Sequence, residues 1–177
     1  ITLWAALVST ASAEEVTWKS LPLNQASVGS LLVENVPGEQ TGIAFVNGVS
    51  GKDAAENRLY EDGSGVAVGD VNGDGKPDLF FAGMGTTNRL YLNQGDLQFI
   101  DVTDQSGLAE PELFSAGALL ADFDNDGDLD LVLNTTGGGS RLYLNQGDGT
   151  FDLSSSAGLR DWGGARSSAA ADVDRDG

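Results

Sequence analysis

Two acidic loops contain the side chains whose types and spacing indicate the clearest chemistry. Oxygen-bearing side chains stand at relative positions 1, 3, 5 and 9: Asp70, Asn72, Asp74 and Asp78 in the first loop, and Asp122, Asp124, Asp126 and Asp130 in the second. Lys76 and Asp128 stand at position 7, where each would contribute a backbone carbonyl. Because Ca²⁺ takes roughly six to eight oxygen ligands in flexible geometry, the spacing predicts a calcium ion in each loop. Mg²⁺ demands a tighter octahedron and is the weaker candidate.

The density of carboxylates in these loops calls for a counter-charge. Two unit negative charges about 4 Å apart repel by roughly 1 kcal/mol in water and by about 4 kcal/mol at an effective dielectric of about 20. Without a cation, the loops would open or some carboxyl groups would stay protonated. Gly75 and Gly127 stand where the sharp turn needs a residue without a Cβ. The alternative interpretation is a set of Asp/Gly hairpin turns that bind no metal.

The same loop recurs at a nearly constant spacing, which indicates a repeat protein. The first Asp of the second loop follows that of the first by 52 residues, and a third loop, with Asp172, Asp174 and Asp176, begins 50 residues later. The sequence Arg-Leu-Tyr-Leu-Asn-Gln-Gly-Asp also occurs twice, at 89–96 and 141–148. Such periods, built from short strands, are typical of the blades of a β-propeller.

Each repeat is predicted to contain four short strands. Apolar and alternating runs place them at 65–71, 79–82, 89–93 and 99–103 in the first repeat, and at 117–123, 129–133 and 151–154 in the second, where the third strand recurs from Arg141. Helical periodicity is missing, so the predicted fold class is all-β: a propeller fragment of about two complete four-stranded blades. Position 12 of the loops is Phe81 or Leu133 rather than Glu, and this excludes an EF-hand.

The repeats also divide the chain. Residues 65–116 and 117–168 are predicted as blades and 169–177 as the start of the next one, whereas 14–64 form a lead-in whose strands either close the ring or begin a blade. Within that lead-in, Thr41–Gly48 reads as a strand ending in an Asn-Gly turn. Residues 1–13 resemble a truncated signal peptide cleaved after Ala13; a buried strand is the alternative. Since about two blades cannot close a ring, we expect the sequence to be incomplete at both ends.

Composition excludes several classes of function. The 177 residues contain nine Lys and Arg against 27 Asp and Glu, a formal net charge of −18, so binding to nucleic acid or to an anionic membrane surface is disfavoured. No apolar run approaches the roughly 20 residues that span a bilayer. Without Cys or His, the chain has no disulfide, no Cys- or His-ligated zinc and no Ser-His-Asp or Cys-His catalytic set.

The loop motif and its spacing resemble a known family of repeats. Asp-x-Asp-x-Asp-Gly-x-x-Asp at about 50-residue spacing is similar to the FG-GAP and VCBS repeats, which form the calcium-bearing blades of integrin α-chain propellers and of many secreted bacterial proteins. The longer pattern of Gly65–Asp70, Arg89–Asn93 and Phe99–Leu108 is similar to the ASPIC/UnbV (cartilage acidic protein-like) group. A literal Phe-Gly…Gly-Ala-Pro is missing, and Asn72 replaces an acid in the first loop.

The resemblance implies an exported binding or adhesion module, secreted or in the cell envelope, in which calcium is structural. Its partner would be a protein or carbohydrate ligand, with no nucleic acid and no membrane insertion of the mature fragment. The alternative function is the propeller portion of a secreted polysaccharide-degrading enzyme whose catalytic residues lie outside this sequence, because fold alone does not decide function. No catalytic residue is predicted within the chain itself.

Overall fold

The computed structural model describes residues 4–5, 19–20, 36–56, 60, 64–155, 157–159 and 165–172. The chain divides into two compact units, Ile1–Asn35 and Val36–Gly177. In the first unit, β1 (Trp4–Ala5) pairs antiparallel with β2 (Lys19–Ser20). The predicted cleavage site after Ala13 lies outside the described residues. All the elements described below belong to the second unit.

Two four-stranded antiparallel sheets follow each other along the chain. The first contains β3 (Val66–Gly69), β4 (Asp78–Phe81), β5 (Arg89–Gly95) and β6 (Gln98–Asp101), and the second contains β7 (Ser115–Ala121), β8 (Asp130–Thr135), β9 (Gly139–Asn145) and β10 (Phe151–Leu153). In each sheet the strands lie side by side in chain order. The predicted all-β fold with four strands in each repeat is confirmed, with strand ends displaced by a few residues.

The register of each sheet places an acidic loop between its first two strands. Gly69 lies opposite Asp78 in the first sheet, and Ala121 lies opposite Asp130 in the second. Residues 70–77 and 122–129 are therefore the connections of two equivalent hairpins. Because strand pairing fixes both ends of a hairpin, each loop is held by the sheet at the residue that precedes its first position and at its ninth position.

The core lies between the two sheets. Alternation along the strands turns Ala67, Phe80 and Leu90 of the first sheet toward Leu131 and Leu133 of the second, and all five are buried in one cluster. A fully buried Phe or Leu side chain contributes about 1.5–3 kcal/mol, so these contacts make the two sheets one folding unit.

Glycine permits the inner strands β3 and β7 to approach closely. A Cβ on Gly65 would lie 3.0 Å from the Cα atom of Gly117, which is closer than nearly all real contacts of a Cβ. A Cβ on Gly117 would lie 2.3 Å from the carbonyl oxygen of Arg166, because residues from the described range 165–172 pass on the other side of β7. Ser168 in the same range hydrogen-bonds Asn134 of β8. Small residues at these positions thus allow the backbones to pack closely.

The lead-in differs from the prediction. Thr41–Gly48 is not a strand: α1 (Gly38–Thr41) ends there, and residues 43–50 contain no regular element. Residues in this stretch contact side chains of the first sheet instead of pairing with a neighbouring strand. The N–H of Ala44 donates to Tyr91 Oη at 3.2 Å, and the ring of Phe45 stacks on Phe81 with centroids 5.0 Å apart. The predicted Asn-Gly turn is also absent from residues 43–50, and Asn47 Oδ1 accepts the Met84 N–H at 2.8 Å.

Two further short helices complete the described elements. They are α2 (Gly51–Glu56), in the lead-in, and α3 (Thr103–Ser106), shortly after β6. None of the helices in the described part of the chain has the length and apolar character needed to cross a membrane.

Candidate metal centre

The ninth residue of each loop anchors it from inside the sheet. Asp78 and Asp130 are 1% and 0% exposed, and both oxygens of each carboxylate accept a backbone N–H. Asp78 accepts from Val71 at 2.9 Å and from Asn93 at 2.8 Å, whereas the corresponding bonds of Asp130 are 2.8 and 2.9 Å long. Desolvation raises the pKa of Asp78, while these two N–H groups lower it. A carboxylate has about four acceptor positions, so each anchor retains capacity for a cation.

The first residue of each loop closes the turn. Asp70 Oδ2 accepts the N–H of Gly75 at 2.7 Å, and Asp122 Oδ2 accepts the N–H of Gly127 at 3.0 Å. Both glycines have left-handed backbone conformations, with φ of 81° and 98°, which residues with a side chain rarely adopt. The sharp turn predicted at these two glycines is confirmed. Each loop therefore curls back on its own first carboxylate, which brings the carboxylates of positions 1 and 9 to the same side.

The second loop brings three predicted ligands together. Asp122, Asp124 and Asp130 each offer one carboxylate oxygen, and these three oxygens all lie within 4.8 Å of one another. Desolvation raises the pKa of Asp124, and the neighbouring charges of Asp126 and Asp130 raise it further. A set of hard oxygen donors this close together fits Ca²⁺, with Mg²⁺ as the smaller alternative.

Asp126, another predicted ligand of the second loop, forms a hydrogen bond with the backbone of that loop. Asp126 Oδ1 accepts the N–H of Asp128 at 2.9 Å, so its side chain supports the position-7 residue whose carbonyl was predicted as a ligand. Asp126 stands outside the group of three converging carboxylates, although its negative charge contributes to the raised pKa of Asp124.

The first loop is arranged differently. Its position-5 carboxylate is bound by the position-7 lysine: Lys76 Nζ lies 2.8 Å from Asp74 Oδ2, and the Lys76 N–H donates to Asp74 Oδ1 at 2.9 Å. The hydrogen bond from the ammonium lowers the pKa of Asp74. Asn72 Oδ1 accepts the N–H of Asp74 at 3.2 Å. Among the described residues, no three carboxylates of this loop converge as they do in the second loop.

Asn145 is a functional-site residue that the sequence pattern did not reveal. Its side-chain Nδ2 donates to the carbonyl of Leu129 at 3.0 Å, in its own loop, and to the carbonyl of Val71 at 2.8 Å, in the first loop. The backbone N–H of Asn145 and that of Val71 donate to the buried carboxylates Asp130 and Asp78. Asn145 therefore joins the anchors of both loops through hydrogen bonds. The only sequence signal was the recurrence of Asn in the Asn-Gln-Gly-Asp turn.

The repeated Tyr and Arg residues of the third strands pack within the protein. Tyr91 and Tyr143 are buried, and the hydroxyl of Tyr143 donates to Glu110 Oε1. Arg141 Nη1 lies 3.0 Å from the same carboxylate oxygen, and Arg89 Nη1 lies 3.2 Å from Asp101 Oδ2. These residues hold the outer strands and their connections, as repeated structural positions do.

An Asn-Thr-Thr pattern and the third acidic loop are the remaining candidate positions. Asn134, the first residue of an Asn-Thr-Thr acceptor pattern for glycosylation, is fully buried with both ends of its amide bonded to serines, so the folded chain does not present it. In the third loop, Asp172 is exposed, and Asp174 and Asp176 lie outside the described residues.

Tandem four-stranded antiparallel sheets, each with an acidic hairpin in the same place, define a repeat protein of the β-propeller type. The family model of the FG-GAP-like repeat matches residues 70–133 and 122–177, together more than half of the chain. The chain belongs to this family.

Individual relatives match a shorter stretch. Cartilage acidic protein 1 of Homo sapiens is 36% identical over 85 residues, which take in 48% of this chain and 13% of that protein. The protein of the same name from Xenopus tropicalis is 34% identical over 85 residues, again 13% of its length. These relatives confirm the predicted resemblance to the ASPIC/UnbV group, although the match covers only a small part of their length.

Proposed function

We propose that this chain is part of an exported, calcium-stabilised binding module of the propeller type. Blades at 65–116 and 117–168 form its rigid body, and the acidic loops hold structural Ca²⁺. The observation that carries the proposal is the convergence of Asp122, Asp124 and Asp130, whose oxygens lie within 4.8 Å of one another. The Asp128 carbonyl and Asp126 complete this ligand set.

The proposed role of calcium follows from electrostatics. The loop from Asp122 to Asp130 contains five carboxylates in nine residues and no Lys or Arg. Two of these residues, Asp122 and Asp130, are also needed to accept backbone N–H groups that close the hairpin. A divalent cation would offset the repulsion between them and hold both carboxylates in place. Calcium would thus fix the loop and, through it, the ends of β7 and β8.

The same proposal extends to the other two loops. In the first, the ligands are Asp70, Asn72, Asp74 and Asp78 with the carbonyl of Lys76; in the third, they are Asp172, Asp174 and Asp176. Export is supported by the small-residue cleavage pattern that ends at Ala13.

Binding is favoured over catalysis. His and Cys are absent from the chain, which leaves no general base of ordinary pKa near neutrality. The buried carboxylates Asp78 and Asp130 already accept two backbone N–H groups each, so structural duties account for them. The proposed partner is a protein or carbohydrate ligand of an extracellular or envelope adhesion system, in line with the family of repeats to which the chain belongs.

Calorimetry with calcium tests the proposal. Wild-type chain and the variants Asp124→Asn and Asp152→Asn are titrated with CaCl₂ after treatment with EGTA. Asp152 is an exposed acid on β10, so Asp152→Asn removes the same charge from the same sheet without touching the loop. We expect Asp124→Asn to weaken or abolish binding by the second loop and Asp152→Asn to preserve it.

Thermal unfolding provides a second readout. A single site at 100 times its Kd stabilises a protein by about 2.7 kcal/mol, so calcium should raise the Tm of the wild-type chain and EGTA should lower it. Equal midpoints in calcium and EGTA, together with no heat of binding, would refute the proposed calcium role.

A further inference from the structure

Residues 38–44 and 103–109 have the same local structure, and we call both of them covering segments. Each contains a single helical turn, α1 or α3, followed by a left-handed glycine with φ of 80° or 79°. The hydroxyl that ends the turn donates to the carbonyl three residues earlier, at 3.2 Å from Thr41 and at 2.9 Å from Ser106. The same two hydroxyls accept the N–H two residues later.

Each covering segment lies against the fourth strand of one sheet. A Cβ on Gly42 would lie 2.4 Å from the carbonyl oxygen of Phe99 in β6. A Cβ on Gly107 would lie 2.7 Å from the carbonyl oxygen of Phe151 in β10. The two phenylalanines are equivalent, since each pairs with the asparagine of an Asn-Gln-Gly-Asp turn. The segment 103–109, which follows the first sheet, thus covers the outer edge strand of the next sheet.

Residues 154–159, which follow the second sheet, form a third covering segment. The N–H of Ser154 donates to the carbonyl of Leu142 at 2.9 Å, and the same bond, also 2.9 Å long, stands at the equivalent place before the second segment. Gly158 is left-handed, with φ of 63°, although Ala157 replaces the hydroxyl residue before it. No described atom lies within 4 Å of a Cβ built on Gly158, so this segment covers none of the described strands.

A cavity of about 240 Å³ borders the third covering segment. Leu153 and Leu159 line it and are 53% and 41% exposed. At the equivalent place between the first and second sheets, Leu108 is 1% exposed and belongs to one buried cluster with Tyr143 and Phe151 of the second sheet. The cavity therefore has the place that the third and fourth strands of a following sheet would fill.

We propose that residues 154–159 and this cavity form the docking surface for a third four-stranded sheet of the same repeat, whose inner strand is formed by residues 165–172. That range already passes beside β7, where a Cβ on Gly117 would lie 2.3 Å from the carbonyl oxygen of Arg166. The fourth strand of the third sheet would place a phenylalanine carbonyl against Gly158, and the aromatic rings of its outer strands would fill the cavity.

A second copy of the chain does not fit this surface. In each copy the Phe99 carbonyl already lies against Gly42, so the first sheet offers no free group of this kind. In the second sheet, the Phe151 carbonyl is covered in the same way by Gly107. The occupant is therefore a sheet that continues the same chain. This inference goes beyond the proposed function and does not depend on calcium in the acidic loops.

An extended chain tests the inference. Gly177 stands at the position of Gly127 in the repeat, so a second copy of residues 128–159 added after it supplies the remaining three strands of a third sheet. Because the sequence contains no Cys, Leu159→Cys at the original position introduces a single thiol, and its reaction with a maleimide reports on the cavity. The thiol should react about tenfold more slowly in the extended chain than in the wild-type chain. The control Val46→Cys, at a 76% exposed position of the lead-in, should react equally in both.

Alanine substitutions at two left-handed glycines provide a second test. The backbone cost of Ala is the same at both, but at Gly107 the new methyl group would also meet the Phe151 carbonyl. In the wild-type chain, Gly158→Ala should lower the Tm by about 4 °C and Gly107→Ala by about twice as much. In the extended chain, the two losses should become equal.

Three results would overturn the inference. The first is a thiol at Leu159→Cys that stays reactive in the extended chain, whether or not circular dichroism shows the added strands folded. The second is an equal loss of Tm for Gly107→Ala and Gly158→Ala in the wild-type chain. The third is a slow thiol reaction in the wild-type chain, because the surface would already be covered, by a second copy if sedimentation shows a dimer. Each comparison is made within one buffer, so a failure of the proposed calcium binding would not produce any of these results.

Discussion

Replacing Asn145 by Ala measures how strongly one buried amide joins the two sheets. Asn145 is 3% exposed, and its side chain makes three hydrogen bonds: to the carbonyls of Val71 and Leu129, at 2.8 and 3.0 Å, and from the N–H of Gly147, at 3.1 Å. The first of these crosses between the sheets. The substitution removes all three without changing the backbone.

The magnitude follows from the burial of the groups left behind. A hydrogen bond contributes about 0.5–1.5 kcal/mol net, and a buried partner left unpaired costs about 1–3 kcal/mol. Asn145→Ala should therefore lower the free energy of unfolding by about 3 kcal/mol. Asn93 is the matched control at the same place in the first sheet, where its amide donates to Pro77 at 2.9 Å in an exposed setting. Asn93→Ala should cost about 1 kcal/mol.

Urea unfolding followed by far-ultraviolet circular dichroism compares the two variants in the same calcium-containing buffer. The expected result is a much lower midpoint for Asn145→Ala than for Asn93→Ala, with the denaturant slope of the wild-type chain retained. Equal losses would refute the reasoning, because they would show that the bond between the sheets adds nothing to the bonds within one turn.

Two further predictions concern packing. Gly117→Ala should lower the free energy of unfolding by about 1–3 kcal/mol, because the new methyl group would lie 2.3 Å from the carbonyl oxygen of Arg166. Gly48→Ala, where a methyl group would meet nothing within 4 Å, should be nearly neutral. Thermal denaturation of both variants tests this difference. Phe80→Ala should cost about 3–5 kcal/mol because Phe80 is buried between the sheets, and Ile100→Ala, at a half-exposed position of β6, should cost far less in the same denaturation assay.

The sequence was sufficient to predict the sheets because strands leave a strong local signal. Apolar and polar residues alternate in Arg89–Asn93, as in a strand with one buried face, and the apolar run at 129–133 is typical of a strand with both faces buried. The acidic loops were equally visible, since their spacing is a property of neighbouring residues. Helices of four to six residues, such as α1 and α2, are too short to show a period of 3.6 and were not predicted.

Contacts between distant residues could not be predicted from the repeat. Asn93 and Asn145 have the same flanking sequence, but Asn145 reaches Val71, 74 residues away, and Asn93 bonds within its own sheet. Likewise, Thr41–Gly48 would form a strand only if a neighbouring strand paired with it, and no strand does so in the described part of the chain. The segment instead contacts the phenol of Tyr91 and the ring of Phe81. The positions of these two side chains follow from the fold of the whole first sheet.

The bonding of the two buried tyrosines bears on how such repeats are recombined. The hydroxyl of Tyr91 is engaged by Ala44, and that of Tyr143 by Glu110, so in both cases the partner comes from the chain segment that precedes the sheet. A sheet excised at its first strand would lose the group that engages its tyrosine. For grafting or duplication, a cassette of the second sheet that keeps this bond therefore starts at or before Glu110, upstream of β7, and a fusion junction belongs ahead of that residue.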